Sequence, residues 1–260
     1  MITIRKGSKG RDVMELQRLL QIPVDGMFCD KTEKAVKEFQ ASKNLIVDGI
    51  VGEKTWAALY GEPDIKKAYI YTHITYSPNR PVRYIAVHYT AGSTSRRGAA
   101  ASTRNVFLSR KASADFVVDD AEIVQINPDL RNYYCWSVGD KKNTTSGGGQ
   151  LYGKATNKNT ISIEVCSNLV KGTSAAYPNH GGWYYTEASL DNALRLVKYL
   201  MKRFDVPIEN VVRHYDVSGK LCPGIVGWNN GKIYGNDGKP TGWSNNSEEW
   251  FKFKSSIEND

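Results

Sequence analysis

The chain has 260 residues, of which 40% are hydrophobic and 24% charged, and its formal net charge is +8. This length can hold two domains with separate cores, and the composition excludes a disordered or low-complexity chain. The positive charge favours a polyanionic partner, such as nucleic acid, anionic membrane or an anionic cell wall. Because Lys and Arg are spread along the chain and form no basic tail, nucleic acid is not singled out.

The N-terminal residues lack the apolar core of a secretory signal, and no apolar run approaches the roughly 18 residues of a membrane span. We therefore expect a chain made in the cytoplasm without a signal peptide and without membrane insertion. The four cysteines are scattered and form no CxxC pair, so neither a disulfide framework nor a zinc ribbon is predicted. Cys29, Cys135 and Cys166 are interpreted as small buried hydrophobic residues. Cys222 is treated separately below.

Residues 1–61 contain an internal repeat, in which a Val-Asp-Gly turn is followed at fixed offsets by Thr and Ala. The two copies are Val24-Asp25-Gly26 with Thr32 and Ala35, and Val47-Asp48-Gly49 with Thr55 and Ala58. Each copy predicts a turn followed by a helix start, and the apolar spacing predicts three short helices. A DNA-reading helix-turn-helix is the alternative, but it gives the repeat and the two Asp-Gly turns no role.

Residues 61–80 carry Pro, Gly and mixed polarity without a sustained period, which predicts a linker at 62–80 and the entry to a second domain. From residue 81 to 260 strands and helices are predicted to alternate. The strands are expected at 82–89, 116–118, 123–126, 161–165 and 211–212, and the helices at 97–108, after Thr186 and after Ser247. Such alternation predicts an α/β fold, with a mixed central sheet covered by helices on both faces and preceded by the small three-helix domain.

Two of the four histidines stand at the ends of predicted strands, His88 in YIAVHYT and His214 in RHYDVSGKLCPG, and Cys222 follows eight residues after His214. Two His and one Cys would give a zinc ion three protein ligands and leave the fourth position open, as in catalytic zinc sites. The alternative is that each is a satisfied core residue, which is the commoner fate of a single His or Cys.

Two charged residues accompany these candidate ligands. Glu164 lies in the apolar strand segment ISIEV, where a carboxylate is costly unless it is paired or faces a polar cleft. Lys220 stands two residues before Cys222, which would bring its ammonium near the metal. The alternatives are a structural ion pair for Glu164 and simple solvation for Lys220.

Residues 1–61 resemble the peptidoglycan-binding domain 1 family, including the closing DGIVGEKTW. Residues 82–228 resemble the type 2 N-acetylmuramoyl-L-alanine amidases, which include many phage endolysins and share their fold with peptidoglycan recognition proteins. The matching segments are YIAVHYTAG, ASADFVVDDAEIVQINPD, NTISIEV and RHYDVSGKLCPG. The resemblance implies that His88, His214 and Cys222 bind Zn²⁺, that Glu164 is the acid/base, and that Lys220 supports the oxyanion.

The resemblance further implies a bacteriolytic monomer that hydrolyses the amide bond between N-acetylmuramic acid and L-alanine in peptidoglycan, after release through a membrane lesion. Tyr89, Trp136, Tyr152 and Trp183 are candidates for substrate contacts, with core packing as the alternative for each. The alternative function is a non-catalytic recognition protein on the same fold. Such relatives typically lose the zinc-binding cysteine, and here Cys222 is present.

The sequence departs from the family at two places where substrate contacts are expected to differ, and at a third that bears on acid/base chemistry. Asp115 stands before Phe116 where the family often has His, and Ser137 follows Trp136 where the family often has His. Ala114 occupies the place of a catalytic Tyr found in some members, so acid/base chemistry is expected to fall on Glu164.

Overall fold

The computed structural model describes residues 3–139, 141–143, 147–173, 177–244 and 247–258. The chain divides into two compact units, Met1–Glu62 (unit 1) and Pro63–Asp260 (unit 2). Within the described residues, no helix combines the length and the apolar character that crossing a bilayer requires.

Unit 1 contains the three predicted helices, which confirms that part of the fold. They are α1 (Arg11–Leu19), α2 (Asp30–Ser42) and α3 (Glu53–Tyr60). Val13, Leu16, Val36, Trp56 and Leu59 are buried and form the core of this unit. The helices are short, so their stability depends on this shared core more than on helix propensity.

The sequence repeat of unit 1 corresponds to a repeated hydrogen-bond network around a buried glutamine. The Gln17 amide donates to Asp25 Oδ1 (2.7 Å) and accepts from the Gly26 amide (2.9 Å). The Gln40 amide likewise donates to Asp48 Oδ1 (2.9 Å) and accepts from the Gly49 amide (2.9 Å). Each glutamine lies eight residues before its Asp-Gly turn. This offset is not among the features predicted above, although it is visible when the two copies are aligned.

Unit 2 is built on a six-stranded sheet. The described strands of the unit are β1 (Ile65–Lys67), β2 (Ile74–Tyr76), β3 (Tyr84–Tyr89), β4 (Phe116–Val118), β5 (Ile123–Gln125), β6 (Tyr133–Cys135), β7 (Thr160–Val165), β8 (Asn168–Leu169), β9 (Trp183–Tyr184), β10 (Val211–Arg213), β11 (Gly231–Tyr234) and β12 (Pro240–Ser244). The order of strands in the six-stranded sheet is β1-β5-β4-β7-β3-β10. Strands β4, β7, β3 and β10 are parallel neighbours, whereas β5 runs antiparallel to β4. The predicted mixed sheet is therefore confirmed.

Helices cover both faces of this sheet, as predicted. The helices of unit 2 are α4 (Ala99–Ser109), α5 (Glu187–Phe204), α6 (His214–Ser218) and α7 (Glu248–Glu258). Because side chains alternate along a strand, Ala86 and His88 point to one face and Ile85 and Val87 to the other. On the Ala86 face, Ala86 and Val212 of the sheet pack with Val217 of α6, and further along the sheet the same face packs with α4. The opposite face is covered by α5.

Helix α5 begins as the sequence predicts. The Thr186 hydroxyl accepts a hydrogen bond from the Ser189 amide, as an N-cap does. Ala193, Val197 and Leu200 of the predicted apolar stripe are fully buried.

Two expectations from the sequence need correction. The segment 62–80 was expected to be a linker, but β1 pairs in parallel with β5, and β2 pairs with β6, so part of this segment is ordered in strands. Cys29 was expected to be buried, but it is exposed at the N-cap of α2. Hydrogen bonds from the Thr32 and Lys31 amides lower the pKa of its thiol. Cys135 and Cys166 are buried, as expected.

Candidate active site

The candidate site lies at the carboxyl ends of the parallel strands, where open α/β sheets generally bind their ligands. His88 of β3 is the direct register partner of Glu164 on β7, so the two side chains leave the same face of the sheet side by side. His214 follows β10, the neighbour of β3 on its other edge, and opens α6. Its ring centroid lies 4.6 Å from that of His88. The turn after α6 brings Cys222 back to the same place.

The three predicted ligands come together. One potential ligand atom from each of His88, His214 and Cys222 lies within 4.8 Å of the others, and all three residues are buried. The distance from Cys222 Sγ to His88 Nδ1 is 3.7 Å. Zinc–sulfur and zinc–nitrogen bonds of ordinary length at a tetrahedral angle would separate these two atoms by about 3.6 Å. The residues present therefore fit a tetrahedral zinc ion.

The protonation states of the two histidines also suit a metal. Burial lowers the pKa of His88 well below its usual value and that of His214 to about 4, so both rings are neutral at pH 7. His214 Nε2 lies 3.0 Å from the Val138 carbonyl, which can only accept, so this nitrogen carries the proton. His214 Nδ1 then holds a lone pair, and it is buried without a hydrogen-bond partner among the described residues. In His88 the nitrogen that faces the Cys222 thiol is Nδ1, and the opposite nitrogen, Nε2, is buried without a hydrogen-bond partner among the described residues.

Cys222 is protonated in the absence of a cation. Burial raises the pKa of its thiol to about 12, with the Glu164 charge adding to the rise and Lys220 opposing it. A thiolate is the form that binds zinc. Metal binding at this site is therefore expected to release the thiol proton.

Glu164 stands beside the three candidate ligands, and its ion-pair contact among the described residues is with His88, whose ring is neutral. Its Oε1 lies 3.9 Å from His88 Nδ1, and its Oε2 is buried with no hydrogen-bond partner in the described ranges. Burial raises the pKa of the carboxyl to about 8, and the Lys220 charge opposes this rise. A perturbed carboxyl in a cleft is typical of a functional group.

The site opens into a groove of about 960 Å³. His88, Glu164, His214, Lys220 and Cys222 all line it. One wall is the loop before α4 and the helix itself, with Arg96, Arg97, Val106, Phe107 and Arg110 along it. This wall was not predicted from the sequence, because no motif distinguishes its residues from others in the chain. The charged lining is mainly positive, so the groove suits a ligand that carries anionic groups.

The four aromatic residues predicted to contact substrate divide into two pairs. Tyr89 and Trp136 line the groove, and the Trp136 side chain is 40% exposed. Tyr152 instead lines a second, smaller cavity with Tyr134 and Lys158. Trp183 is buried outside the groove, where its ring packs edge-on against Tyr89 at 5.9 Å. Trp183 therefore fits the alternative of core packing that was given for each of the four aromatic residues.

The departures from the family motifs have different structural consequences. Ser137 lines the groove, whereas Ala114 and Asp115 do not, and both are fully buried. The Asp115 carboxylate accepts hydrogen bonds from the Ser162 amide (2.8 Å) and from the Asn127 amide group (2.6 Å). Arg80 Nη1 lies 3.5 Å from the same carboxylate. Asp115 therefore ties the sheet to its surrounding loops and lies outside the groove lining.

A buried pair of asparagines holds the turn that carries Cys222. The carboxamides of Asn179 and Asn229 exchange hydrogen bonds of 2.6 and 2.7 Å, and both residues are fully buried. The Asn229 amide also donates to the Pro223 carbonyl (2.6 Å), and the Asn179 backbone amide donates to the Gly224 carbonyl (2.6 Å). This pair was not predicted, because single asparagines give no distinctive sequence signal.

Comparison with known proteins identifies the family. The model of the N-acetylmuramoyl-L-alanine amidase family matches residues 78–225, more than half of the chain, and the chain therefore belongs to this family. A model of a peptidoglycan binding domain matches residues 9–59. Both resemblances noted in the sequence are thereby confirmed.

Individual relatives agree with this assignment. The chain is 31% identical to the amidase CwlA of a Bacillus species over 150 residues, which are 57% of this chain and 51% of the relative. It is 34% identical to the amidase XlyA of Bacillus subtilis over 143 residues, which are 54% of this chain and 39% of that protein. The chain thus spans about half or less of the length of these curated relatives. The structure of the XlyA catalytic domain superposes with a TM-score of 0.50 at 24% identity, covering 75% of this chain and 99% of that domain, which supports the fold.

The asparagine pair gives a testable prediction for stability. Asn229→Ala would remove the hydrogen-bond partner of the buried Asn179 carboxamide and of the buried Pro223 carbonyl. Each unsatisfied group should lower the free energy of unfolding by about 1–3 kcal/mol. For a unit of this size, such a loss corresponds to a fall in melting temperature of roughly 5–15 °C. Calorimetry of the zinc-free protein measures it, with Asn105→Ala as a control at an exposed asparagine of α4. Equal melting of the two variants would contradict the assigned role.

Proposed function

We propose that this chain is a zinc-dependent N-acetylmuramoyl-L-alanine amidase, which hydrolyses the amide bond between N-acetylmuramic acid and L-alanine in bacterial peptidoglycan. The observation that carries the proposal is the convergence of His88, His214 and Cys222 beside Glu164 in a groove, within the segment that matches the amidase family. The alternative of a non-catalytic recognition protein has no comparable support, because every expected ligand is present.

His88, His214 and Cys222 would hold the zinc ion. When bound, zinc supplies a Lewis acid that acidifies water and polarises a carbonyl oxygen. The protein contributes three buried ligand groups and the open side of the groove, through which water and substrate can reach the site.

Glu164 would carry the proton. Its pKa of about 8 places the carboxyl near the point at which it can both hold and release a proton at neutral pH. Positive charge at the adjacent ligand cluster would lower this pKa, so that Glu164 could accept a proton from the attacking water. The same carboxyl would then deliver that proton to the leaving amine of L-alanine.

Lys220 would stabilise the negative charge that develops on the carbonyl oxygen during attack. Its side chain lines the groove beside Cys222, and its charge acts on both Glu164 and Cys222. A cation interacts more strongly with the oxyanion of the transition state than with the neutral carbonyl of the substrate. Only such a difference in interaction lowers the barrier to reaction.

Substrate binding would use both units. Tyr89 and Trp136 would contact the glycan or peptide within the groove, and unit 1 would hold the enzyme on the cell wall, where peptidoglycan is its partner. The net charge of +8 would add attraction to an anionic wall.

The metal proposal predicts one zinc ion per chain in the purified protein. Chelation should abolish the release of peptides with an N-terminal L-alanine from peptidoglycan, as measured by mass spectrometry. It should leave most of the fold, as measured by circular dichroism. Cys222→Ser should lose both zinc and activity, whereas Cys166→Ser alters a cysteine outside the groove and should keep its zinc. Full zinc content and full activity in Cys222→Ser would refute the ligand assignment. A zinc-loaded protein that binds peptidoglycan without releasing peptides would instead be a recognition protein.

The proton-transfer proposal predicts unequal losses for two variants. Glu164→Gln keeps the shape of the side chain but removes the proton acceptor, so kcat should fall by about 10²–10⁴-fold with zinc still bound. Lys220→Ala should cost about 10²–10³-fold, as removal of one oxyanion donor does. Turnover of soluble muramyl peptides measures both. If Glu164→Gln stays near the parent rate while Lys220→Ala is inactive, Glu164 is a structural carboxyl and another group moves the proton.

The proposed division of labour predicts that unit 2 works without unit 1. A fragment of residues 63–260, which keeps β1 in the sheet, should retain zinc and should cleave soluble muramyl peptides at the rate of the full chain. It should bind insoluble cell wall more weakly, as measured by sedimentation at several salt concentrations. Equal sedimentation of fragment and full chain would exclude a targeting role for unit 1.

A further inference from the structure

We propose that Asn157 is a positioning residue for the metal site, which fixes the tautomer and orientation of His214 through the backbone of Val138. This inference rests on the proposed zinc-dependent function and assigns a role to a residue outside the groove. The described hydrogen bonds of the Asn157 side chain go to the Ser137 and Val138 amides, so its effect on the ligand cluster passes through the segment that it holds.

The first step is the contact between Asn157 and the segment 136–138. Asn157 Oδ1 accepts two backbone hydrogen bonds, from the Ser137 amide (3.0 Å) and from the Val138 amide (2.8 Å). Two donors meeting one side-chain atom identify that atom as the carboxamide oxygen. The preceding residue, Trp136, is held from the other side, since its amide donates to Ser113 Oγ (2.9 Å).

The second step is the rigidity of the element that carries Asn157. It opens the short 3₁₀ turn Asn157–Asn159, which leads directly into β7 and thus to Glu164. The turn is closed by Asn159 Oδ1, which accepts from the Thr156 amide (2.8 Å). Asn157 therefore connects the segment 136–138 to the central sheet.

The third step is the contact between Val138 and His214. Val138 is fully buried, and its carbonyl accepts from His214 Nε2 at 3.0 Å. This bond places the proton on Nε2 and leaves the lone pair on Nδ1, the atom with no other partner among the described residues. Hydrogen bonds to the distal nitrogen of a ligating histidine set its tautomer and orientation, and their loss typically costs 10–100-fold in metal affinity.

The test compares Asn157→Leu, which removes the acceptor, with Asn157→Asp, which keeps a carboxylate oxygen for the two amides. Competition with a chelator measures zinc affinity, and ¹⁵N chemical shifts of the imidazole report the His214 tautomer in the zinc-free protein. Asn157→Leu should bind zinc about 10–100-fold more weakly and should lose the preference for the Nε2–H tautomer. Asn157→Asp should stay close to the parent in both measurements. Parent-like affinity and tautomer in Asn157→Leu would overturn the proposal.

Two additions keep the result decisive. If Asn157→Leu fails to fold, Asn157→Ser removes the same contact with a small polar side chain, and it should show the same two changes. A purely structural role would lower the melting temperature but leave the tautomer of the folded protein unchanged, which would also overturn the proposal. Neither measurement uses hydrolysis. If Asn157→Leu shows both changes but the parent protein cleaves no peptidoglycan, the proposed function is wrong and the role of Asn157 stands.

Discussion

The pairing of β3 with β7 is the constraint on which the candidate site depends. Its register sets His88 beside Glu164 on one face of the sheet, while Val87 and Ile163 are buried on the opposite face. A buried imidazole nitrogen and a buried carboxyl oxygen without partners are costly in free energy. The apolar residues of the same two strands offset that cost, because a slip of one residue would move them to the site face and place His88 and Glu164 against the face covered by α5. Burial of the apolar core therefore stabilises a register that is unfavourable for the two polar groups by themselves.

The remaining ligand groups reach the site from less regular parts of the chain, and buried amides hold them there. His214 is oriented by the Val138 carbonyl, and the turn after Cys222 is held by the Asn179–Asn229 pair. Asn229 lies beyond the segment that the amidase family model matches, so residues outside that segment help to hold the Cys222 turn. Carboxamides suit this task because each can accept and donate at once, which satisfies backbone groups that no strand or helix pairs.

Unit 1 uses the same chemistry in a repeated form. Gln17 and Gln40 each close an Asp-Gly turn through one buried carboxamide, and each turn precedes a helix. A domain of about sixty residues has a small apolar core. Specific buried hydrogen bonds then contribute a larger share of what defines its fold. The two copies share this network because they share the offset between the glutamine and the turn.

The sequence by itself determined the order of the main helices and strands, the mixed sheet, the family and the candidate ligands His88, His214 and Cys222. These features depend on local periodicity and on motifs whose residues are close in the chain. Only the tertiary structure decided that Asp115 is a buried structural carboxylate, that Trp183 lies outside the groove, and that β1 belongs to the sheet. It also brought Asn157 to Val138 and Asn229 to Pro223. An asparagine or aspartate looks alike in sequence whether it faces solvent or a buried backbone, because its partners are fixed by packing between distant segments.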